Sequence, residues 1–124
     1  MKQRTRSEAM KKVFVVDDDP DQAEIMVQAL ADGELQVRAF SDPIRALTAL
    51  ANEEADLLIA DLSMPWIDGK DVIRSARQRR PGLAIFLVSG YARGVEIAHE
   101  AGIRFFQKPL DWEVLRDAVK QVVG

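Results

Sequence analysis

The chain has 124 residues, 48% of them hydrophobic and 30% charged, with a net charge of −3, which suffices for one compact domain with a core and is too short for two. It has no cysteine, and His99 is its single histidine, so disulfides, thiolate catalysis and a Cys/His zinc site are excluded and any metal must be held by oxygen. The acidic balance offers no global attraction to nucleic acid, and the longest apolar runs, such as residues 83–88, fall far short of a membrane span or signal-peptide core, so a cytoplasmic protein is expected.

Residues 1–11, with Lys2, Arg4, Arg6 and Lys11, read as a basic leader, and 12–124 as the folded domain. Residues 13–16 form a short apolar run of strand type. Asp19-Pro20 then offers a capping carboxylate and a proline at the first helical position, where its missing N–H costs nothing. The helix that follows carries Ala23, Ile25, Met26, Ala29 and Leu30 at helical spacing. Residues 35–40 are a second strand, and Asp42-Pro43 opens a helix with Ile44, Leu47, Thr48 and Leu50. A third strand over 55–60 precedes a helix marked by Val72, Ile73 and Ala76, on which Arg74, Arg77, Arg79 and Arg80 read as a solvated basic face. Arg79-Arg80-Pro81-Gly82 stops that helix. Residues 83–88 and 103–106 are the last strands, separated by a helix over 92–101. Asp111 caps a final helix, Trp112–Val123, with a core stripe of Leu115, Ala118, Val119 and Val122.

Strict alternation of strand and helix predicts a parallel sheet covered on both faces: a flavodoxin-like, doubly wound α/β domain with five strands in the order 2-1-3-4-5 and five helices. Ligand sites of such sheets lie beyond the carboxyl ends of the strands, where the strand order reverses. Strand one runs into Asp17 and Asp18, strand three into Asp61, strand four into Ser89, and strand five is followed by Lys108-Pro109. Like charges about 4 Å apart repel by about 4 kcal/mol at an effective dielectric near 20, so three such carboxylates call for a cation. An all-oxygen donor set favours Mg²⁺.

The segments Val15-Val16-Asp17-Asp18-Asp19-Pro20, Asp61-Leu62-Ser63-Met64-Pro65 with Asp68-Gly69, Leu87-Val88-Ser89-Gly90, and Gln107-Lys108-Pro109-Leu110 resemble the receiver domain of two-component response regulators, from about Lys12 to Gly124. The resemblance implies that Asp61 accepts a phosphoryl group from a phosphohistidine on a sensor histidine kinase or histidine phosphotransfer protein. Asp18, Asp61 and the backbone carbonyl of Ser63 would hold Mg²⁺, with Asp17 acting mostly through a bound water. Lys108, in a cis bond to Pro109, would pair with Asp61 and then with the phosphoryl group. Ser89 and Phe105 would be the switch pair, changing the face of the fourth helix, fifth strand and fifth helix. Such a chain is a signalling switch that catalyses its own modification, binding neither nucleic acid nor membrane and open to a phosphorylation-dependent homodimer.

Departures from the family's usual pattern bear on timing and partners. Ser63 and Tyr91 sit where access of hydrolytic water is tuned, and Tyr91 suggests a slowly hydrolysed phosphate. Trp66 and Trp112 are read as local packing or partner contacts. The phrasing around Ser89-Gly90-Tyr91-Ala92 also resembles receivers attached to hybrid sensor kinases, so a stand-alone regulator and a receiver cut from a longer protein both remain. Two rivals are weaker: a phosphatase with Asp17 as nucleophile, for which Pro20 and Asp21 stand where that family expects a small or hydroxyl residue, and a degenerate receiver serving only as a binding module, which would be expected to have lost an acidic residue, the nucleophile or the lysine.

Overall fold

The computed structural model describes residues 10–61, 69–91 and 93–124. Its elements alternate without exception: β1 (Lys11–Val16), α1 (Pro20–Leu30), β2 (Leu35–Phe40), α2 (Pro43–Asn52), β3 (Leu57–Asp61), α3 (Gly69–Arg79), β4 (Ala84–Ser89), α4 (Arg93–Ala101), β5 (Arg104–Gln107) and α5 (Trp112–Val123). All strands are parallel, in the order β2-β1-β3-β4-β5, as the alternation predicts. β1 begins at Lys11, within the span read as leader, because Lys11 pairs with Leu35 and donates its N–H to the carbonyl of Glu34.

The three central strands are buried on both faces, and their period-two alternation splits the core in two. Val13, Val15, Leu57, Ile59, Phe86 and Val88 face Met26 and Leu30 of α1 and Leu115 and Val119 of α5. Phe14, Val16, Leu58 and Ile85 face Ala46, Ala49 and Leu50 of α2 and Ile73 and Ala76 of α3. On α5 the inward residue of the last turn is Val123, while Val122 is 42% exposed. This corrects the expected stripe: Val123, four residues after Val119 and eight after Leu115, packs into the core with both, and Val122 is left at the margin. Ile25 and Ile44 are likewise exposed.

The predicted caps hold. Asp19 accepts from the N–H groups of Asp21 and Gln22, Asp42 from Ile44, and Asp111 from Glu113 and Val114. Each satisfies helix donors that would otherwise lack partners. Both edge strands carry an arginine over a phenylalanine: Arg38 lies 4.9 Å from the Phe40 ring centre and Arg104 5.0 Å from that of Phe106. These charges blunt edges that would otherwise invite further strands.

The basic face of α3 needs correction. Arg77 donates to the carbonyl of Ala101 at 2.6 Å and Arg80 to that of Leu50 at 2.8 Å. Both are half-buried, and each binds a carbonyl in the last turn of a neighbouring helix, where partial negative charge collects. Among the described residues no helix is long and apolar enough to cross a membrane.

Candidate functional site

Sheet register brings the reactive residues together. Val16 pairs with Ala60, so Asp17 and Asp61, one residue further on, leave the sheet side by side. Asp61 pairs with Val88 and Ser89 with Gln107, so Ser89 and Lys108 follow at the same end. Two further bonds extend the ladder there: the Asp17 N–H donates to the Phe40 carbonyl, and the Lys108 N–H to the Ser89 carbonyl, both at 3.0 Å. Asp61 is the last residue of β3 and Ser89 the last of β4. Their backbones are therefore fixed by the sheet while their side chains meet the loops. The Lys108-Pro109 bond is cis.

Asp17 and Asp61 are 3% and 1% exposed. An Asp17 oxygen accepts the N–H of Asp19 at 3.0 Å, and the Asp17 carboxyl adjoins that of Asp61. Burial, reinforced by the neighbouring Asp61 carboxyl, pushes Asp17 up from 3.8 to about 7, against the opposing pull of the Asp19 N–H and the Lys108 ammonium. Lys108 reaches in to form an ion pair with Oδ2 of Asp61. Ser89 is 3% exposed, and its Oγ accepts the N–H of Tyr91 at 3.1 Å. The side chain of Tyr91 stands outside, 65% exposed.

Asp18, next to Asp17 in the loop between β1 and α1, is half-buried. Among the described residues no three acidic or imidazole side chains gather closely enough to cage a metal on their own. The close pair is Asp17 and Asp61. Burial and the adjoining Asp61 disfavour the charged form of Asp17, so the site gains from added positive charge, and all-oxygen donors suit an ion that binds through one or two carboxylates and keeps several waters. The donor set thus fits Mg²⁺. Ser63, Trp66 and Asp68 lie outside the described residues.

Beside the pair opens a cleft of about 240 Å³, lined by Asp17, Asp61, Lys108, Met26, Pro109 and Trp112 among others. Trp112 packs against the core while bordering this cleft, a placement that its position at a helix start did not reveal. Phe105 is half-buried, and its ring lies against α4 at Gly94, close to Ser89. Gly94 has no motif around it and went unnoticed in the sequence.

The family model described as response regulator receiver domain matches residues 13–120. Among curated proteins, the chain is 29% identical over 102 residues to the DNA-binding transcriptional regulator NtrC of Escherichia coli (strain K12), a match covering 80% of this chain and 22% of that protein. It is 32% identical over 83 residues to the response regulator receiver protein CpdR of Brucella abortus (strain 2308), covering 67% of this chain and 69% of CpdR. The chain therefore spans about a quarter or less of the length of regulators such as NtrC and most of the length of CpdR. Among solved structures, a CheY-like response regulator receiver domain protein from Methanospirillum hungatei JF-1 superposes with a TM-score of 0.81 at 25% identity, covering 90% of this chain and 92% of that one. The signal receiver domain of an HD domain-containing protein from Pseudomonas fluorescens Pf-5 gives 0.81 at 26% identity, covering 91% and 94%.

Proposed function

Because the chain belongs to the response regulator receiver domain family, we propose that it is a phosphoacceptor switch whose nucleophile is Asp61 and whose phosphodonor is a phosphohistidine on a sensor histidine kinase or histidine phosphotransfer protein. The observation that carries this reading is the meeting of two buried carboxyls, Asp17 and Asp61, with the ammonium of Lys108 at the carboxyl ends of the central strands. An Asp61 oxygen attacks phosphorus, the P–N bond of the phosphohistidine breaks, and the imidazole leaves with the bonding electron pair and takes up a proton.

Asp18, Asp61 and the Ser63 carbonyl would hold Mg²⁺, with Asp17 acting through a bound water; bound there, the ion supplies charge neutralisation at the transferring group. Lys108 holds Asp61 oriented at rest and, after transfer, follows the charge to a phosphoryl oxygen. The Ser89 hydroxyl, which accepts the Tyr91 N–H, turns to donate to the phosphoryl group, and Phe105 responds to that movement. The altered surface is the face of α4, β5 and α5, which then engages the output partner or a second copy of the chain. Ser63 and Tyr91 set how easily water reaches the acyl phosphate.

The test is labelling by acetyl phosphate in Mg²⁺ followed by mapping of the acyl phosphate. Label at Asp61, lost in Asp61→Asn with the fold intact, is expected. Full labelling of Asp61→Asn refutes the assignment, and label at Asp17 with steady turnover would favour the phosphatase instead. The length of relatives such as NtrC favours a second reading, a receiver within a longer regulator or hybrid kinase, which the flanking reading frame decides.

A further inference from the structure

Gly94 is the second residue of α4 and is buried. A buried glycine in the first turn of a helix, where alanine would serve the backbone at least as well, calls for a reason in its surroundings. Backbone conformation is not the reason, since among the described residues Gly102 is the one glycine with positive φ. Space is. A Cβ placed on Gly94 would stand 2.6 Å from Cε2 and 3.2 Å from Cζ of Phe105, and 3.1 Å from Cβ of Ser89. Carbons in comfortable contact sit about 3.5–4.0 Å apart. The ring of Phe105 thus occupies the volume that any side chain at this position would fill, and Ser89 borders the same spot.

We infer that Gly94 is the seat of the Phe105 ring, a positioning residue that ties the ring to Ser89; its consequence for signalling rests on the switch proposed above. Hydrogen bonds join the parts into one unit. The Ser89 Oγ accepts the Tyr91 N–H at 3.1 Å, and the Tyr91 carbonyl accepts the Gly94 N–H at 3.0 Å. A hydroxyl that lets go of Tyr91 loosens the turn that holds Gly94 beneath the ring. The coupling also runs backwards. The closest of these atoms belongs to the far end of a side chain that can swing about its own χ1, so a methyl group at position 94 expels the ring and remodels the face of α4 and β5 without any phosphoryl group.

The experiment is a double-mutant cycle of Gly94→Ala and Phe105→Ala followed by thermal unfolding, with ring-to-Hα nuclear Overhauser contacts between Phe105 and Gly94 as the readout of ring position. With Phe105 in place, Gly94→Ala lowers Tm by about 3–6 °C and abolishes the contact to position 94. In the Phe105→Ala background the same change lowers Tm by less, because the ring that opposed the methyl group is gone and only the 3.1 Å approach to Cβ of Ser89 remains. Phe105→Leu replaces Phe105→Ala should the latter fail to fold. Equal shifts in the two backgrounds, or a ring contact that survives Gly94→Ala, overturn the inference. Acetyl phosphate with Mg²⁺ separates the two proposals: a non-additive cycle in a protein whose Phe105 ring ignores phosphorylation upholds the seat and sinks the switch, whereas an additive cycle with a phosphate-responsive ring sinks the seat alone.

Discussion

Lys108 places its ammonium on Oδ2 of Asp61, a side chain only 1% exposed, while itself remaining 29% exposed. The pair is asymmetric: Asp61 is sealed in by β3, and the lysine stem spans from the solvent to the carboxylate. Removing one partner of a buried pair leaves a charge with neither water nor counterion, and here a second carboxyl adjoins it. Lys108→Met keeps the bulk of the stem and discards the charge. It is expected to lower unfolding stability by about 1–3 kcal/mol in chelator, with part of the loss recovered in excess Mg²⁺ through binding to the folded state. Urea denaturation in both buffers measures this, and unchanged stability in chelator would contradict the pairing.

The raised Asp17 sets a pH dependence with a definite sign. The folded state keeps a proton on Asp17 up to about pH 7, while an unfolded aspartate has given it up near its ordinary 3.8. Between those values the native state binds more protons than the unfolded one, so stability falls as pH rises through the window and levels off above it. Asp17→Asn imitates the protonated carboxyl at every pH. In chelator the variant should match the wild type near pH 4 and exceed it by about 1–3 kcal/mol at pH 8. Chemical denaturation across that range tests the claim, and a wild type that gains stability between pH 4 and 7 through this residue has the opposite sign.

The order of elements and the gathering of Asp17, Asp61, Ser89 and Lys108 could be read from the sequence because both follow from local patterns. Short apolar runs mark parallel strands, and in such a sheet whatever follows each strand arrives at one end. β2 and α5 coincide with their expected bounds. β3 does not begin at Ala55, since Asp56 instead binds the Lys12 N–H with its side chain. What escaped the sequence depends on contacts between distant segments. The choice of Val123 over Val122 is decided by where α5 lies on the sheet. The roles of Arg77 and Arg80 depend on the ends of α2 and α4, and the seat at Gly94 depends on a ring eleven positions later in the chain.

Tyr91 bears on the lifetime of the proposed acyl phosphate. Its N–H is tied to Ser89, which fixes the base of the side chain at the site while the ring extends into solvent. A ring so placed can fold over the site and hinder the approach of water. Tyr91→Ala should therefore speed loss of label from the phosphorylated protein several-fold, without slowing the labelling itself. Decay followed by hydroxylamine-labile phosphate decides it, and equal rates in the two proteins would remove Tyr91 from this role.

Arg74 and Arg80 carry the same charge on or just beyond the same helix and should behave differently. Arg74 is 70% exposed, and its partner Asp71 lies 3.7 Å away on the same helix, a pairing of the kind worth a few tenths of a kcal/mol at most. Arg80 is half-buried and gives its Nε hydrogen to the Leu50 carbonyl at 2.8 Å. That carbonyl belongs to the last turn of α2, whose final carbonyls have no partner within the helix, so the guanidinium both satisfies it and complements the negative end of the helix. Arg80→Ala should cost about 1–2 kcal/mol, Arg74→Ala almost nothing. Raising the salt concentration should erase most of any Arg74 effect and little of the Arg80 effect, since exposed pairs are screened and half-buried hydrogen bonds are not. Urea denaturation of both variants at low and high ionic strength measures the contrast, and equal losses would return Arg80 to the solvated basic face.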